Sequence, residues 1–262
     1  MELPEGLRLE NYEKPRRIIV DFIQTYITRA GVKGAVLGLS GGIDSSLVAT
    51  LACEAIGPDR VLGIMLPVDA KKDAQNVNDA QDLAESLGMK HELFELKEAI
   101  SAYSSLSLDK ITLGNLSARL RMTTWYARAN QENRLVLGTG NKSELMIGYF
   151  TKYGDGGVDI LPIGDLYKTN VWDLSYELGV PEAIVKKTPS AGLWAGQTDE
   201  GEIGLSYQEL DSILYLHLEK EMSVEKIIDW GLEEDKVRKV LRVMKQSEHK
   251  RKPLPKPNIR LG

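Results

Sequence analysis

Apolar residues at Ile19, Phe22, Ile23, Tyr26 and Ile27 recur every three or four positions, and this spacing predicts an amphipathic helix over 14–30. Gly31 and Gly34 bracket its end, and the run AVLGL (35–39) follows without a polar break. Short, continuously apolar runs bounded by glycine are typical of strands buried on both faces of a parallel sheet. A second run, VLGIML (61–66), comes after the turn residues Gly57, Pro58 and Asp59. Between the two runs, SSLVATLACEAI has the length and spacing of a helical crossover. The alternation continues. A helix carrying Val77, Ala80, Ala84 and Leu87 precedes HELFEL (91–96), and a helix over 115–130 precedes RLVLGTG (134–140). Four strands alternating with helices predict an α/β fold built on a doubly wound parallel sheet, and the chain ends in two or three additional C-terminal helices.

Two stretches break the pattern. Residues 150–168 and 188–205 are rich in glycine, aspartate and proline and have little periodicity, so they are expected to be functional loops. The second is expected to act as a mobile cover over a nucleotide site. At ~150 residues per domain the 262 residues allow one large domain or two. No linker divides them, so 1–262 is expected to be a single domain. Hydrophobic residues make up 42% of the chain, enough for a sizeable core. The net charge of −5 disfavours a dedicated nucleic-acid binder, which usually carries a basic excess. A single cysteine, Cys53, excludes an intramolecular disulfide and lies in an apolar helical segment, where it reads as packing. The amino-terminal segment lacks the apolar core of a signal peptide, and no run approaches the ~20 apolar residues of a membrane helix. A cytoplasmic protein with no membrane partner is the expectation.

The strongest chemical signal is LSGGIDSS (39–46), set between the first strand and its helix. Its glycines let backbone approach an anion, and the helix that follows presents unpaired N–H groups and the positive end of its dipole. Ser40, Ser45 and Ser46 add hydroxyls. Asp44 would repel a bare phosphate and therefore implies a Mg²⁺ ion between carboxylate and phosphate. The loop lacks the lysine of a Walker motif and the spacing of a dinucleotide fingerprint.

SGGIDSS resembles the pyrophosphate loop of the N-type ATP pyrophosphatases, a superfamily with an adenine nucleotide alpha-hydrolase-like, Rossmann-like fold. NLSARLRMTTWYARA (115–129), LGTGNKSELMIGYFTKYGDGGVDILPIGDLYKT (137–169), KTPSAGLWAGQTDEGEIGLSYQELD (187–211) and SEHKRKP (247–253) narrow the likeness to the NAD synthetase family, in its short, ammonia-dependent form. That resemblance implies a carbon–nitrogen ligase that amidates deamido-NAD with ATP and ammonia through an adenylated carboxylate, releasing pyrophosphate and AMP. It also implies roles for individual residues. Gly38, Leu39, Ser40, Gly41, Gly42, Ile43, Asp44, Ser45, Thr139, Lys168 and Ser190 would contact ATP. Asp44 and Glu144 would hold Mg²⁺. Arg119, Lys152, Asp159, His249 and Lys250 would contact deamido-NAD, at sites near the interface of a homodimer. Lys168 would offset charge at the reacting phosphate, and Asp155 is expected to capture ammonium and take its proton. Gly192 stands where many relatives carry aspartate, and Asn141-Lys142-Ser143 departs from the wording of some. The competing readings are a GMP synthetase-like or tRNA-modifying member of the superfamily, and a nucleotide-binding module without chemistry.

Overall fold

The computed structural model describes residues 2–192, 194, 196–257 and 259. Helix α1 (Glu13–Ala30) leads into β1 (Gly34–Gly38), and α2 (Ile43–Ile56) crosses to β2 (Val61–Met65). Helix α3 (Ala74–Ser86) then leads to β3 (Lys90–Leu93). A short α4 (Lys97–Ser101) and a long α5 (Lys110–Glu132) return the chain to β4 (Arg134–Leu137). The strands are parallel and lie in the order β3-β2-β1-β4. An isolated parallel bridge between Leu137 and Ile160 extends the sheet beyond β4.

Both faces of β1 and β2 are covered, which is why these two strands read as unbroken apolar runs, whereas the edge strand β3 is only partly buried. Ala35 and Leu37 of β1 face a core made with α1, α2 and α3, whereas Val36 faces Trp125 and Ala129 of α5. Gly38 is required at the end of β1 because a Cβ there would overlap the Trp125 ring. Helix α2 is buried almost all round, with Leu47, Val48, Leu51 and Ala52 fully covered. Cys53 is half-buried with its thiol 3.8 Å from the Met89 sulfur, and burial pushes its pKa up to about 11. The thiol therefore stays protonated and packs, as expected.

Past the sheet come α6 (Lys142–Ile147), α7 (Lys168–Glu177), α8 (Glu182–Val185) and α9 (Asp199–Ile203). The chain closes with α10 (Tyr207–Leu218), α11 (Val224–Asp229), α12 (Glu234–Gln246) and the single turn α13 (Glu248–Arg251). Leu210, Ile213, Leu214, Ile227, Val237 and Val240 of these helices form a second core, which reaches Leu7 at the amino-terminal end and Ile147 of α6. Among the described residues, no helix is long and apolar enough to cross a membrane.

Several boundaries differ from the sequence expectations. HELFEL pairs as a strand only to Leu93, although the Phe94 and Leu96 N–H groups still bond to the Met65 and Pro67 carbonyls. The helix expected over 115–130 begins at Lys110, because the Asp109 carboxylate accepts from the Thr112 N–H at 2.7 Å and caps it. The 188–205 stretch contains α9, capped by the Thr198 hydroxyl, while Leu193 and Ala195 lie outside the described residues. The carboxyl-terminal region supplies α10 to α13, one short turn more than the two or three helices expected.

Candidate active site

The strand order reverses between β1 and β4, and in open α/β sheets ligands bind in the crevice at such a point. The segments that leave these two strands carry the chemistry. Beyond β1, Gly41 has φ +71°, and a Cβ there would overlap the Asn76 carbonyl, so only glycine fits. Gly42 sits at the start of α2 with no side-chain cap, leaving the first turn's N–H groups for an anion. The Ser45 and Ser46 hydroxyls donate to the Gly42 carbonyl at 3.0 and 2.9 Å, so they shape the loop rather than serve as free donors. Ser40 is exposed; its hydroxyl accepts from the Gly42 N–H at 3.3 Å and lies 3.0 Å from the Ser45 oxygen. Leu39 and Ile43 are buried and anchor the two ends of the turn.

Beyond β4, half-buried Thr139 leads to Asn141, which starts α6 with a reciprocal cap: its side chain accepts from the Glu144 N–H, and the Glu144 carboxylate accepts from the Asn141 N–H. The buried Asn141 amide also donates to Asp44 at 2.9 Å, tying the second loop to the first. Lys168 opens α7, and its fully buried ammonium reaches Asp44 at 2.5 Å and Glu144 at 3.7 Å. Burial opposes that charge, but Asp44 and Glu144 outweigh it and hold the ammonium above the ordinary lysine value. The ammonium also lies 5.2 Å from the centre of the Tyr207 ring, whose hydroxyl donates to Asp199 at 2.9 Å. Burial first, and the neighbouring Asp44 second, push Glu144 up to about 8. Burial likewise raises Asp199. Three carboxylates around one ammonium leave the pocket short of positive charge, which is why the carboxyl groups are pushed upward.

The residues matched to a dinucleotide form a second group on a more open wall. Arg119 donates to the Lys152 carbonyl at 3.4 Å, and the Lys152 ammonium donates to the His249 carbonyl at 2.9 Å. Lys250 donates to the Gly148 and Phe150 carbonyls, each at 2.7 Å. Arg119 and His249 are exposed. Asp155 is exposed as a residue, with its carboxylate accepting from the Thr151 N–H at 2.8 Å. Asp159 lies apart from this group, where its carboxylate accepts from the Val136 N–H at 2.7 Å and the Tyr126 hydroxyl at 2.9 Å. Ser190 is exposed, and its hydroxyl accepts from the Gly192 N–H at 3.1 Å. Gly192 has φ +61°, a conformation that suits glycine.

A family model described as NAD synthase matches residues 16–254. The chain belongs to the NAD synthase family. It is 49% identical over 253 residues to a protein of Methanosarcina mazei named NH(3)-dependent NAD(+) synthetase, covering 94% of this chain and 98% of that one. Among solved structures, the NH3-dependent NAD synthetase of Campylobacter jejuni in complex with a nitrate ion superposes with a TM-score of 0.82. It is 32% identical, covering 95% of this chain and all of that one. The NMN synthetase of Francisella tularensis superposes with a TM-score of 0.81 at 37% identity, covering 95% and 99% of the two chains. The fold expected from the alternating pattern is therefore that of the NAD synthase family.

Three residues of this site have no place in the sequence analysis as functional groups. Asn141 reads there only as a departure from relatives, although its position three residues before Glu144 is the spacing of a helix cap. Asp211 is fully buried in α10 and accepts from the Ser143 hydroxyl at 2.5 Å and the Thr169 N–H at 2.8 Å. Ser143 in turn accepts from the Lys168 N–H at 2.9 Å. Asp199 lies within an irregular stretch, where no periodicity marks it. A contact between elements over 40 residues apart leaves no local signal in the sequence.

Proposed function

We propose that this chain amidates deamido-NAD to NAD with ATP and ammonia. The nicotinate carboxylate attacks the α-phosphorus of ATP and pyrophosphate leaves; ammonia then displaces AMP from the adenylated carboxylate. The observation that carries this reading is the buried Lys168 ammonium joining Asp44 of the phosphate loop to Glu144, in a chain that matches the NAD synthase family from 16 to 254.

In this reading the N–H groups around Gly41 and Gly42 hold the departing pyrophosphate, with Gly38, Leu39, Ser40, Ile43 and Ser45 shaping the loop. Thr139 and Ser190 contact the nucleotide. Lys168 offsets charge at the reacting phosphate from a seat fixed before ATP arrives, so its alignment adds nothing to the barrier. Mg²⁺ fits the donor set. Among the described residues no group of three or more His, Cys, Asp or Glu side chains is arranged to hold a metal. One or two carboxylates completed by nucleotide phosphates is the usual Mg²⁺ arrangement, and Asp44 and Glu144 supply it. When bound there, Mg²⁺ neutralises phosphate charge. Arg119, Lys152, His249 and Lys250 take the anionic dinucleotide, with Asp159 at its far edge. Asp155 captures ammonium beside them and accepts its proton, leaving neutral ammonia as the nucleophile. The 188–205 segment covers the nucleotide. Residues 1–262 act as one domain, because the matched residues run from Asp44 to Lys250. The protein works in the cytoplasm as a homodimer, to which α5 contributes.

The test measures NAD, AMP and pyrophosphate from deamido-NAD, Mg·ATP and either ammonia or glutamine. The three products are expected in equal amounts with ammonia, and pyrophosphate release is expected to require deamido-NAD. No NAD with ammonia would sink the reading. The name of the Francisella protein makes deamido-NMN the informative competitor. A higher kcat/KM for that mononucleotide would replace the dinucleotide as substrate.

A further inference from the structure

Lys187 lies between α8 and the 188–205 segment, and none of the roles above uses it. Its ammonium donates to the Gly41 carbonyl at 2.7 Å and to the Asn76 side-chain carbonyl at 3.0 Å, and it pairs with Asp79. The Asp79 side chain is only 10% exposed, so this ion pair is largely shielded from water. We propose that Lys187 is a positioning residue of the phosphate loop: it holds the Gly41 carbonyl so that the Gly42 N–H faces the pyrophosphate of ATP. This rests on the reading of the loop given under the proposed function.

The geometry follows from one peptide. In a planar trans peptide the C=O and the following N–H point in opposite directions. A cation fixed on the Gly41 oxygen therefore aims the Gly42 N–H away from Lys187, toward the exposed Ser40 hydroxyl, a 3.3 Å contact that pyrophosphate would replace. Glycine at φ +71° has no side chain to restrain it, so this peptide is held by its two contacts, the shorter one from Lys187 on the carbonyl and the longer one from the N–H to Ser40. The contact is also charge-assisted. An ammonium on the carbonyl polarises the peptide and makes its N–H a stronger donor to an anion. Asp79 and Asn76, both on α3, fix the ammonium in turn, so the loop is braced from a neighbouring crossover helix. The same lysine lies two residues before Pro189, whose carbonyl accepts from the Asp199 N–H at 3.0 Å. Lys187 thus links the cover segment to the loop it is proposed to cover.

The test compares wild type, Lys187→Met and Lys187→Arg by calorimetric titration with Mg·pyrophosphate, and then by steady-state kinetics with each substrate varied. Losing a hydrogen bond to a charged group costs about ten- to a hundredfold in affinity. Lys187→Met is expected to weaken pyrophosphate binding and raise the KM for ATP by about that factor, with the KM for deamido-NAD unchanged and most of the loss restored by Lys187→Arg. Wild-type affinity for pyrophosphate in Lys187→Met would overturn the proposal. So would an equal loss for both substrates, an Arg variant no better than Met, or a wild-type protein that binds no pyrophosphate. The titration needs no turnover. A wild type that binds pyrophosphate yet forms no NAD refutes the proposed reaction while the comparison still decides the role of Lys187.

Discussion

The two halves of the site are built differently. On the phosphate side, the Lys168 ammonium pairs with the Asp44 and Glu144 carboxylates, and Asn141 bonds to both acidic residues. On the side proposed to take the dinucleotide, Arg119, Lys152 and Lys250 each donate to a backbone carbonyl instead. Side chains committed to each other in a dry pocket are set before substrate arrives, and removing one leaves its partner's charge unpaired. Cations resting on carbonyls at a wet surface can exchange those contacts for substrate oxygens at little cost. The first arrangement suits the stabilisation of charge in a transition state, the second the capture of a large anion. Mutations on the two sides should therefore fall on different kinetic constants.

The largest effect is expected for Lys168→Met. Loss of one preorganised group aimed at developing charge typically costs about 10²–10³ in kcat. Pyrophosphate release in single turnover should fall by that order, with the KM for deamido-NAD nearly unchanged. A near-normal rate would remove the asymmetry between the two sides. Asp155→Asn comes next, with an expected loss of about 10² in the step that uses it, the lower end of what general-base assistance contributes. Here the amidation step should slow while deamido-NAD-dependent pyrophosphate release stays measurable. If both half-reactions proceed normally, Asp155 is not the proton acceptor. Arg119→Ala should act by binding alone, raising the KM for deamido-NAD about tenfold at an unchanged kcat. A fall in kcat would place Arg119 with the phosphate side instead.

What the sequence discloses differs between the halves for a physical reason. LSGGIDSS is contiguous, because a phosphate loop needs its glycines and its helix start in one short stretch. Its strand–turn–helix form was legible from those residues, as were the strands, most plainly β1 and β2, whose burial on two faces makes them unbroken apolar runs. The partners of that loop come from far along the chain. Asn141 lies 97 residues from Asp44, and Lys168 lies 124 residues from it. Glu144 taken alone reads as an ordinary first-turn glutamate, and a lysine opening a helix gives no sign that it will be buried. Those two were reached through resemblance to a family, not through periodicity. Asp211 escaped both routes, since its setting exists only once α10 packs behind α6 and α7.

Asp211 gives the smallest expected effect and the sharpest contrast, because it belongs to the dry side alone. Burial pushes its pKa from 3.8 up to about 6, even though the Ser143 hydroxyl and the Thr169 N–H stabilise the carboxylate. An acid whose pKa is higher folded than unfolded binds more protons in the folded state between the two values, so its burial cost is fully present above pH 6 and is relieved as the pH falls toward 4. Asp211→Asn keeps an acceptor oxygen but cannot titrate. Between pH 7 and pH 5 the wild type should therefore gain about 1 kcal/mol relative to Asp211→Asn, at 1.36 kcal/mol per pH unit of linked titration. For a chain of this size that is a shift of about 2–4 °C in the difference between the two melting temperatures. Thermal unfolding of both proteins at half-unit pH steps would show the difference moving in favour of the wild type on the acid side. The same comparison with Arg119→Ala, on the exposed side, should give a difference independent of pH over that range. A constant gap for Asp211→Asn would mean that the carboxylate behind Lys168 is not held in the desolvated state its surroundings imply.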